Sequence, residues 1–302
     1  MYESRDFACN DRFLTSGVAA VTMPPLEPYF REAGSGTAVV CIHSSASTSG
    51  QWRPLMECLA DRFRVIAVDL YGSGKTAAWP LDQPMRLDDE LALLSSVLRE
   101  AGDRFHLIGH SYGGAIALKA ALADRKRVIS LVLYEPVLFS AVIADSPESA
   151  TAREILALRD DTIRLVDQGN LNLAAQRFVD YWMGDGTWVA IPESRRPALA
   201  EAMLAVKSQW HALLYEPTPL GAFAAVNVPT LFLTGTKSTA SALAVARLVT
   251  AVLPRVHREE LEGLGHMGPV THPGTVNPLI KRFLEETSLG ANSLYAAVAR
   301  SD

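Results

Sequence analysis

Short apolar runs alternate with amphipathic stretches along much of the chain, the pattern of a parallel sheet that helices cover on both faces. The predicted strands are residues 28–32 at a sheet edge, then 38–42, 64–69, 105–109, 128–134, 229–235 and 256–261. The predicted helices are residues 51–61, 88–101, 112–123, 240–253 and 275–286. In residues 88–101, Leu91, Leu94, Val97 and Leu98 recur at the spacing of one helical face. The pattern predicts an α/β fold with a mostly parallel central sheet flanked by helices.

This alternation is interrupted between residues 139 and 226. The interval contains helical stretches separated by breakers, namely Pro147, Gly169, Gly184, Gly186 and Pro192. We interpret residues 139–226 as an inserted helical cap and residues 26–138 and 227–288 as the α/β core. Residues 1–25 are predicted to be an N-terminal extension, and residues 289–302 a C-terminal tail.

Composition and charge narrow the class of protein. Apolar residues make up 49% of the chain and charged residues 20%, which is typical of a globular protein. The net charge is −5 and no long run of like charges occurs, which argues against nucleic acid or an anionic membrane surface as a partner. No uncharged apolar stretch reaches the roughly 18 residues of a membrane span, and no secretory signal is recognisable.

The three cysteines, Cys9, Cys41 and Cys58, are an odd number and include no C-x-x-C pair. This spacing indicates neither a disulfide framework nor a zinc site. We therefore expect reduced thiols and a cytoplasmic location. The sequence leaves the oligomeric state open.

A G-x-S-x-G motif, Gly109-His110-Ser111-Tyr112-Gly113, lies between a predicted strand and a predicted helix. Such a turn is tight, so glycines allow the two backbones to approach while the serine projects into a cleft. The start of the helix also offers backbone N–H groups to a developing oxyanion. The motif predicts Ser111 as a nucleophile. The alternative is a chance pentapeptide, which the strand-to-helix context disfavours.

A serine nucleophile needs a base, and His266 is the best candidate for it. It stands in Gly263-Leu264-Gly265-His266-Met267, a glycine-rich loop directly after the last predicted strand. Glycines there would let the imidazole reach back over the sheet edge. The alternative is a loop histidine that is hydrogen-bonded to backbone.

With these motifs, the chain resembles α/β-hydrolases over about residues 26–288. In most of that family the triad acid follows the strand that matches residues 229–235, but here Ser238 stands at that position. Some members, including certain haloalkane dehalogenases, carry the acid after the strand beside the nucleophile's strand, and Glu135 directly follows residues 128–134. The resemblance thus suggests Glu135 as the acid. The alternatives are that Glu135 caps the strand or pairs with a cap arginine.

The loop His43-Ser44-Ser45-Ala46 resembles the His-Gly-x oxyanion loop of the same family, with Ser44 in place of the commoner glycine. The resemblance implies that the backbone N–H groups of Ser45 and Tyr112 form the oxyanion hole. The alternative is an ordinary serine-rich loop.

Three cap tryptophans, Trp182, Trp188 and Trp210, are candidate substrate-binding residues because aromatic side chains often line apolar pockets. The alternative for each is the apolar core of the cap.

The run Gly72-Ser73-Gly74-Lys75-Thr76 imitates the end of a phosphate-binding P-loop. A P-loop needs glycine where Asp69 stands, and Pro80 and Pro84 would interrupt the helix that should follow. The run is instead similar to a structural turn of α/β-hydrolases, so we expect Asp69 to be structural.

Together these features predict hydrolysis of an ester of a small, largely apolar molecule through an acyl-enzyme on Ser111, with no metal or organic cofactor. The same triad could cleave a thioester, an amide or a carbon–carbon bond. A different class of function, a non-catalytic small-molecule receptor on the hydrolase scaffold, also stays open.

Overall fold

The computed structural model describes residues 27–298. The predicted N-terminal extension, residues 1–25, and residues 299–302 of the predicted tail lie outside the described range.

The described residues form one seven-stranded sheet in the order β1-β3-β2-β4-β5-β6-β7. The strands are β1 (Phe30–Ala33), β2 (Thr37–Ile42), β3 (Phe63–Val68), β4 (Phe105–His110), β5 (Val128–Tyr134), β6 (Thr230–Gly235) and β7 (Val256–Leu261). Only β1 is antiparallel to its neighbour within this sheet; the other strands pair in parallel. Every residue of β4, β5 and β6 is buried, which explains their largely apolar sequences. The predicted α/β fold is confirmed.

The helices of the core cover both faces of this sheet. They are α1 (Arg53–Leu59), α2 (Leu87–Glu100) and α3 (Tyr112–Ala123) before the cap. Between β5 and β6 lie the helices of the predicted cap, which keep that name below: α4 (Phe139–Asp145), α5 (Ala150–Asp167), α6 (Leu171–Met183), α7 (Thr187–Ala190) and α8 (Arg196–Leu214). After the cap come α9 (Ala240–Val252), α10 (Gly268–Thr271) and α11 (Pro273–Val298).

Aromatic side chains of the cap helices stack on one another. The ring of Phe139, at the start of α4, stacks with Trp182 of α6 and Trp210 of α8 at centroid distances of 6.3 and 5.8 Å. These residues belong to the same apolar cluster as the buried side chains of α3 and β5. Cap and core therefore bury one continuous hydrophobic surface, which removes apolar area of both parts from water.

The last helix is longer than predicted. The predicted helix ends at residue 286, whereas α11 continues to Val298 and so includes most of the predicted tail. Gly290 is a weak stop signal, and the leucine and alanine residues that follow it in sequence favour a helix. Most other observed helix and strand ends fall within about two residues of the predicted ones, as is usual for element boundaries.

Candidate active site

The carboxyl ends of the parallel strands bring the candidate residues to one edge of the sheet. Ser111 follows β4, Glu135 follows β5, and His266 lies in the loop after β7. In open α/β sheets this edge is where ligands bind, because the loops after neighbouring strands converge there. The fold thus assembles residues that are far apart in sequence.

Ser111 occupies a sharp turn between β4 and α3. Its backbone has φ of 55° and ψ of −118°, a conformation that non-glycine residues rarely adopt. The two motif glycines are required by space: a Cβ at Gly109 would lie 2.3 Å from the carbonyl oxygen of Gly113, and one at Gly113 would lie 2.3 Å from that of Ile42. The close approach of β2, β4 and α3 therefore explains the motif.

His266 lies between Ser111 and Glu135. Its Nε2 is 2.8 Å from the Oγ of Ser111, and its Nδ1 is 2.7 Å from Oε2 of Glu135. All three residues are buried. With a carboxylate at Glu135, Nδ1–H is the donor to the acid and Nε2 is left to accept the serine hydroxyl proton.

Two hydrogen bonds fix the backbone of the loop that carries His266. The Tyr134 hydroxyl donates to the carbonyl of Gly265 at 2.9 Å, and the Lys237 N–H donates to the carbonyl of Leu264 at 2.8 Å. These bonds attach the loop to the ends of β5 and β6. The imidazole is thus oriented by backbone anchors as well as by Glu135.

Glu135 is itself oriented by three hydrogen bonds. Its Oε1 accepts from the Gly235 N–H at 2.7 Å and from the Ser238 hydroxyl, and its Oε2 faces His266. Its backbone φ is 43°, so the turn after β5 is strained, as at Ser111. Instead of the cap arginine considered as an alternative partner, the structure places His266 and β6 around this carboxylate. Ser238, at the usual position of the acid, serves as a hydrogen-bond donor to Glu135.

Ser45 lies beside Ser111 and lines the same cavities. Within the described residues, the backbone N–H groups of Ser45 and Tyr112 form no hydrogen bond. That of Tyr112 is an unpaired N–H at the start of α3, where the helix dipole favours negative charge. Both groups are therefore available to an oxyanion.

A hydrogen-bonded chain that the sequence analysis missed connects the oxyanion loop to the histidine loop. Ser44 donates to Oε1 of Gln51 through its N–H and its hydroxyl, at 3.2 and 3.0 Å. The Nε2 of Gln51 donates to Nδ1 of His110 at 3.1 Å, and the Nε2–H of His110 donates to the carbonyl of His266 at 2.8 Å. Burial holds the pKa of His110 well below its usual range, so the ring is neutral and each nitrogen has one role. His110 lies inside the G-x-S-x-G motif, so its sequence position could have indicated that it belongs to the site. The sequence around Gln51 gives no such indication.

Asp69 organises the turn that imitates a P-loop. Its buried carboxylate accepts from the Ser49 N–H at 2.6 Å and from the Lys75 N–H at 3.0 Å. The segment after the turn continues without a helix until Leu87. Asp69 thus has the structural contacts expected of it.

Two cavities adjoin Ser111 under the cap. The outer cavity has a volume of about 80 Å³ and is lined by Ser111, His266 and Trp182, among others. The inner cavity is about 10 Å³ and is lined by Ser45, Ser111, Trp182, Gln209 and Trp210, among others. The Trp182 ring stacks on the His266 ring, with centroids 4.0 Å apart. Two of the three candidate tryptophans therefore lie next to the triad.

Trp188 lies elsewhere in the cap, and its expected contact with substrate stays a prediction. It is on α7, with the Arg196 guanidinium 5.7 Å from its ring centroid, and lines neither cavity. The turn at Gly184 and Gly186, both with positive φ, separates α7 from α6 and directs Trp188 into the packing of the cap.

Over residues 27–298, no cluster of three or more histidine, cysteine or acidic side chains could hold a metal ion. Cys41 and Cys58 are free thiols. Among the helices of this range, none is both long and apolar enough to traverse a bilayer.

A sequence model of the Alpha/beta hydrolase family matches residues 39–279, which include the nucleophile turn, the cap and the histidine loop. The chain belongs to the α/β hydrolase family. The resemblance inferred from the motifs is thereby confirmed.

Relatives of this α/β hydrolase include proteins of several activities. An uncharacterised protein of Mycobacterium tuberculosis is 25% identical over 284 residues, which cover 85% of this chain and 78% of that protein. A 2-hydroxy-6-oxo-6-(2'-aminophenyl)hexa-2,4-dienoic acid hydrolase of Metapseudomonas resinovorans is 30% identical over 136 residues, 43% of this chain and 44% of that enzyme. An esterase structure from Exiguobacterium antarcticum superposes with a TM-score of 0.72 at 20% identity, covering 85% of this chain and 95% of that one. At this identity the superposition shows the shared fold.

Proposed function

We propose that this α/β hydrolase is a serine esterase that cleaves carboxylic esters of small, largely apolar molecules. The observation that carries the proposal is the continuous chain from Ser111 Oγ through His266 to Glu135, with donor–acceptor distances of 2.8 and 2.7 Å. A nucleophile, a base and an orienting acid in this geometry are the components of acyl transfer.

In the proposed mechanism, His266 Nε2 takes the hydroxyl proton as Ser111 Oγ attacks the ester carbonyl. The N–H groups of Ser45 and Tyr112 stabilise the oxyanion, and Glu135 stabilises the imidazolium. His266 then protonates the departing alcohol, which leaves an acyl group on Ser111. A water molecule, deprotonated by His266, attacks this acyl-enzyme and releases the acid.

The two cavities that Ser111 lines support an uncharged substrate. No lysine, arginine, aspartate or glutamate side chain of the described residues lines either cavity. A charged substrate group would lose its hydration there without a compensating partner. The outer cavity, about 80 Å³ in volume, supports small substrates.

The same triad could cleave other acyl bonds. A carbon–carbon bond hydrolase is the second candidate, favoured by the relative from Metapseudomonas resinovorans, whose printed name is that of a dienoic acid hydrolase. That match covers 44% of the relative, and the two cavities that Ser111 lines offer no cation to the carboxylate of a dienoic acid. These observations favour an ester. Against a non-catalytic receptor stands the presence of all three triad groups in hydrogen-bond distance.

The test is active-site labelling with a fluorophosphonate probe, followed by peptide mass spectrometry, alongside turnover of p-nitrophenyl butyrate. We expect one probe per chain at Ser111, and loss of both labelling and turnover in Ser111→Ala. The exposed cap serine Ser194, replaced in Ser194→Ala, is the matched control and should retain both. Absence of labelling at Ser111 in the wild-type protein would refute the esterase proposal and favour a receptor. Labelling without turnover of any ester would instead favour another acyl or carbon–carbon bond.

A further inference from the structure

Gln209 presents a buried amide without a hydrogen-bond partner. The residue lies on α8 and is 1% exposed, and neither its Oε1 nor its Nε2 is bonded within the described part of the chain. Buried amides in native proteins almost always have partners, because burial removes their hydrogen bonds to water. Since Gln209 lines the inner cavity beside Ser111, a bound molecule could supply the missing partners.

Two indole groups share this condition. The Nε1 atoms of Trp182 and Trp210 are buried and have no partner among the described residues, and both side chains line the inner cavity with Gln209. An indole N–H only donates, whereas the amide offers both an accepting oxygen and two N–H donors. The set is complementary to a group that both accepts and donates a hydrogen bond, as a hydroxyl does.

The remaining walls of the inner cavity are mostly apolar and include Val137, Phe139 and Leu213. Among the described residues, none of its lining side chains is charged. A carboxylate or an ammonium group in this cavity would be desolvated without compensation. The unpaired amide and indoles therefore suit an uncharged hydroxyl.

The position of His266 tells which side of the ester enters the inner cavity. His266 lines the outer cavity and is absent from the lining of the inner one, whereas Ser111 lines both. Because His266 must protonate the leaving alcohol, the alcohol belongs in the outer cavity. The acyl group therefore points toward the inner cavity, whose volume of about 10 Å³ has room for one small group such as a hydroxyl.

We propose that the inner cavity recognises the hydroxyl of a short hydroxyacyl ester, with Gln209 and Trp210 as specificity-determining residues. The hydroxyl donates to Gln209 Oε1 and accepts from an indole or amide N–H. This inference rests on the proposed esterase function and adds its acyl class. A site built to pair a hydroxyl discriminates strongly against a substrate without one, because its own polar groups then stay unpaired.

The experiment compares kcat/KM for p-nitrophenyl 3-hydroxybutyrate and p-nitrophenyl butyrate. We expect the wild-type enzyme to prefer the hydroxylated ester by about tenfold or more. Gln209→Met keeps the length of the side chain but removes its hydrogen-bonding atoms, so the preference should fall by about tenfold. Dividing the variant's ratio by the wild-type ratio cancels the intrinsic reactivity of the two esters. Gln176→Met, a cap glutamine outside both cavities, is the matched control and should keep the wild-type ratio.

Trp210→Phe provides a second test, since it keeps an aromatic ring and removes only the indole N–H, and it should also lower the ratio. Equal ratios in the wild-type enzyme and both variants would overturn the inference, and so would a wild-type preference for butyrate. If Gln209→Met fails to fold, Trp210→Phe alone decides. Turnover of butyrate without any preference sinks only this inference, whereas absence of labelling at Ser111 removes the esterase proposal itself.

Discussion

At the scale of single residues, the acid of the candidate triad has an unusual origin. Glu135 reaches His266 from the end of β5, while Ser238, after β6, donates a hydrogen bond to the same carboxylate. Strands β5 and β6 are paired neighbours in the sheet, with Tyr134 opposite Leu233. An acid placed after either of these two neighbouring strands can therefore reach Nδ1 of the histidine.

Replacement of the acid tests its role. Glu135→Gln should lower kcat for p-nitrophenyl butyrate by about a thousandfold or more, because an amide neither fixes the required tautomer nor stabilises the imidazolium. Ser238→Ala removes only a donor to the carboxylate and should cost about tenfold or less. Full turnover in Glu135→Gln would show that Glu135 is not the triad acid.

At the scale of elements, the active-site loops are joined by a hydrogen-bonded chain that starts beyond β2 and ends beyond β7. Gln51, in the turn before α1, connects Ser44 to His110, and His110 holds the backbone of His266. These hydrogen bonds connect the predicted oxyanion loop to the predicted base. Such outer contacts matter because catalysis depends on geometry within a fraction of an ångström.

Gln51→Leu interrupts this chain at its centre. We expect kcat for p-nitrophenyl butyrate to fall by about tenfold with little change in KM, because the loops lose alignment in the transition state rather than affinity for the substrate. Steady-state kinetics on the folded variant, verified by circular dichroism, measures the effect. An unchanged kcat would mean that the loops are held by their other contacts.

The contact between α2 and α3 contains another buried acid, Glu90. Its Oε1 lies 3.3 Å from the Tyr112 hydroxyl, and its Oε2 lies 3.4 Å from the Tyr71 backbone nitrogen. Burial raises the pKa of Glu90 from 4.5 to about 8. The carboxyl is therefore protonated in the folded protein at neutral pH, and its ionisation opposes folding.

This pKa shift predicts how stability depends on pH. Between pH 4.5 and about 8 the Glu90 carboxyl keeps in the folded state a proton that it loses in the unfolded state, so its contribution to the free energy of unfolding falls as the pH rises through this window. Glu90→Gln, a neutral analogue, should remove this decline, which amounts to about 1.4 kcal/mol per unit of pKa shift. Urea unfolding at pH 5 and pH 8 measures it. The same change in the free energy of unfolding between the two pH values in the variant and in the wild-type protein would contradict the assignment to Glu90.

At the scale of the whole molecule, cap and core enclose the reaction site together. Trp182, from the cap, stacks on His266 of the core and lines both cavities. In the proposed esterase, the stacking couples the position of the cap to the orientation of the base, and the small cavities limit the acyl group. Exclusion of water under the cap also strengthens the hydrogen bonds of the triad.

The small inner cavity predicts a preference for short acyl chains. With p-nitrophenyl esters from acetate to laurate, kcat/KM should be highest for two to four acyl carbons and fall by about a hundredfold for laurate, because longer chains displace packed cap side chains. A control with constant acyl group and varied alcohol isolates the acyl effect. Equal rates along the acyl series would show that the cap opens to admit long chains.

The sequence by itself determined the α/β fold, the strands and core helices, and the identities of Ser111, His266 and Glu135 as candidates. These features are local: buried parallel strands are continuous apolar runs, and a tight strand-to-helix turn requires Gly109 and Gly113. The motif and the family resemblance then indicated where along the chain the base and the acid follow Ser111.

Only the tertiary structure decided which side chains meet. The hydrogen bonds of Gln51 and Ser238, the unpaired amide of Gln209 and the separation of Trp188 from the cavities all depend on contacts between distant segments. A single glutamine or serine has no periodicity, so nothing in its sequence context marks such a role. Sequence periodicity indicates which residues of one element are buried. A site at the edge of a sheet instead depends on contacts between several loops.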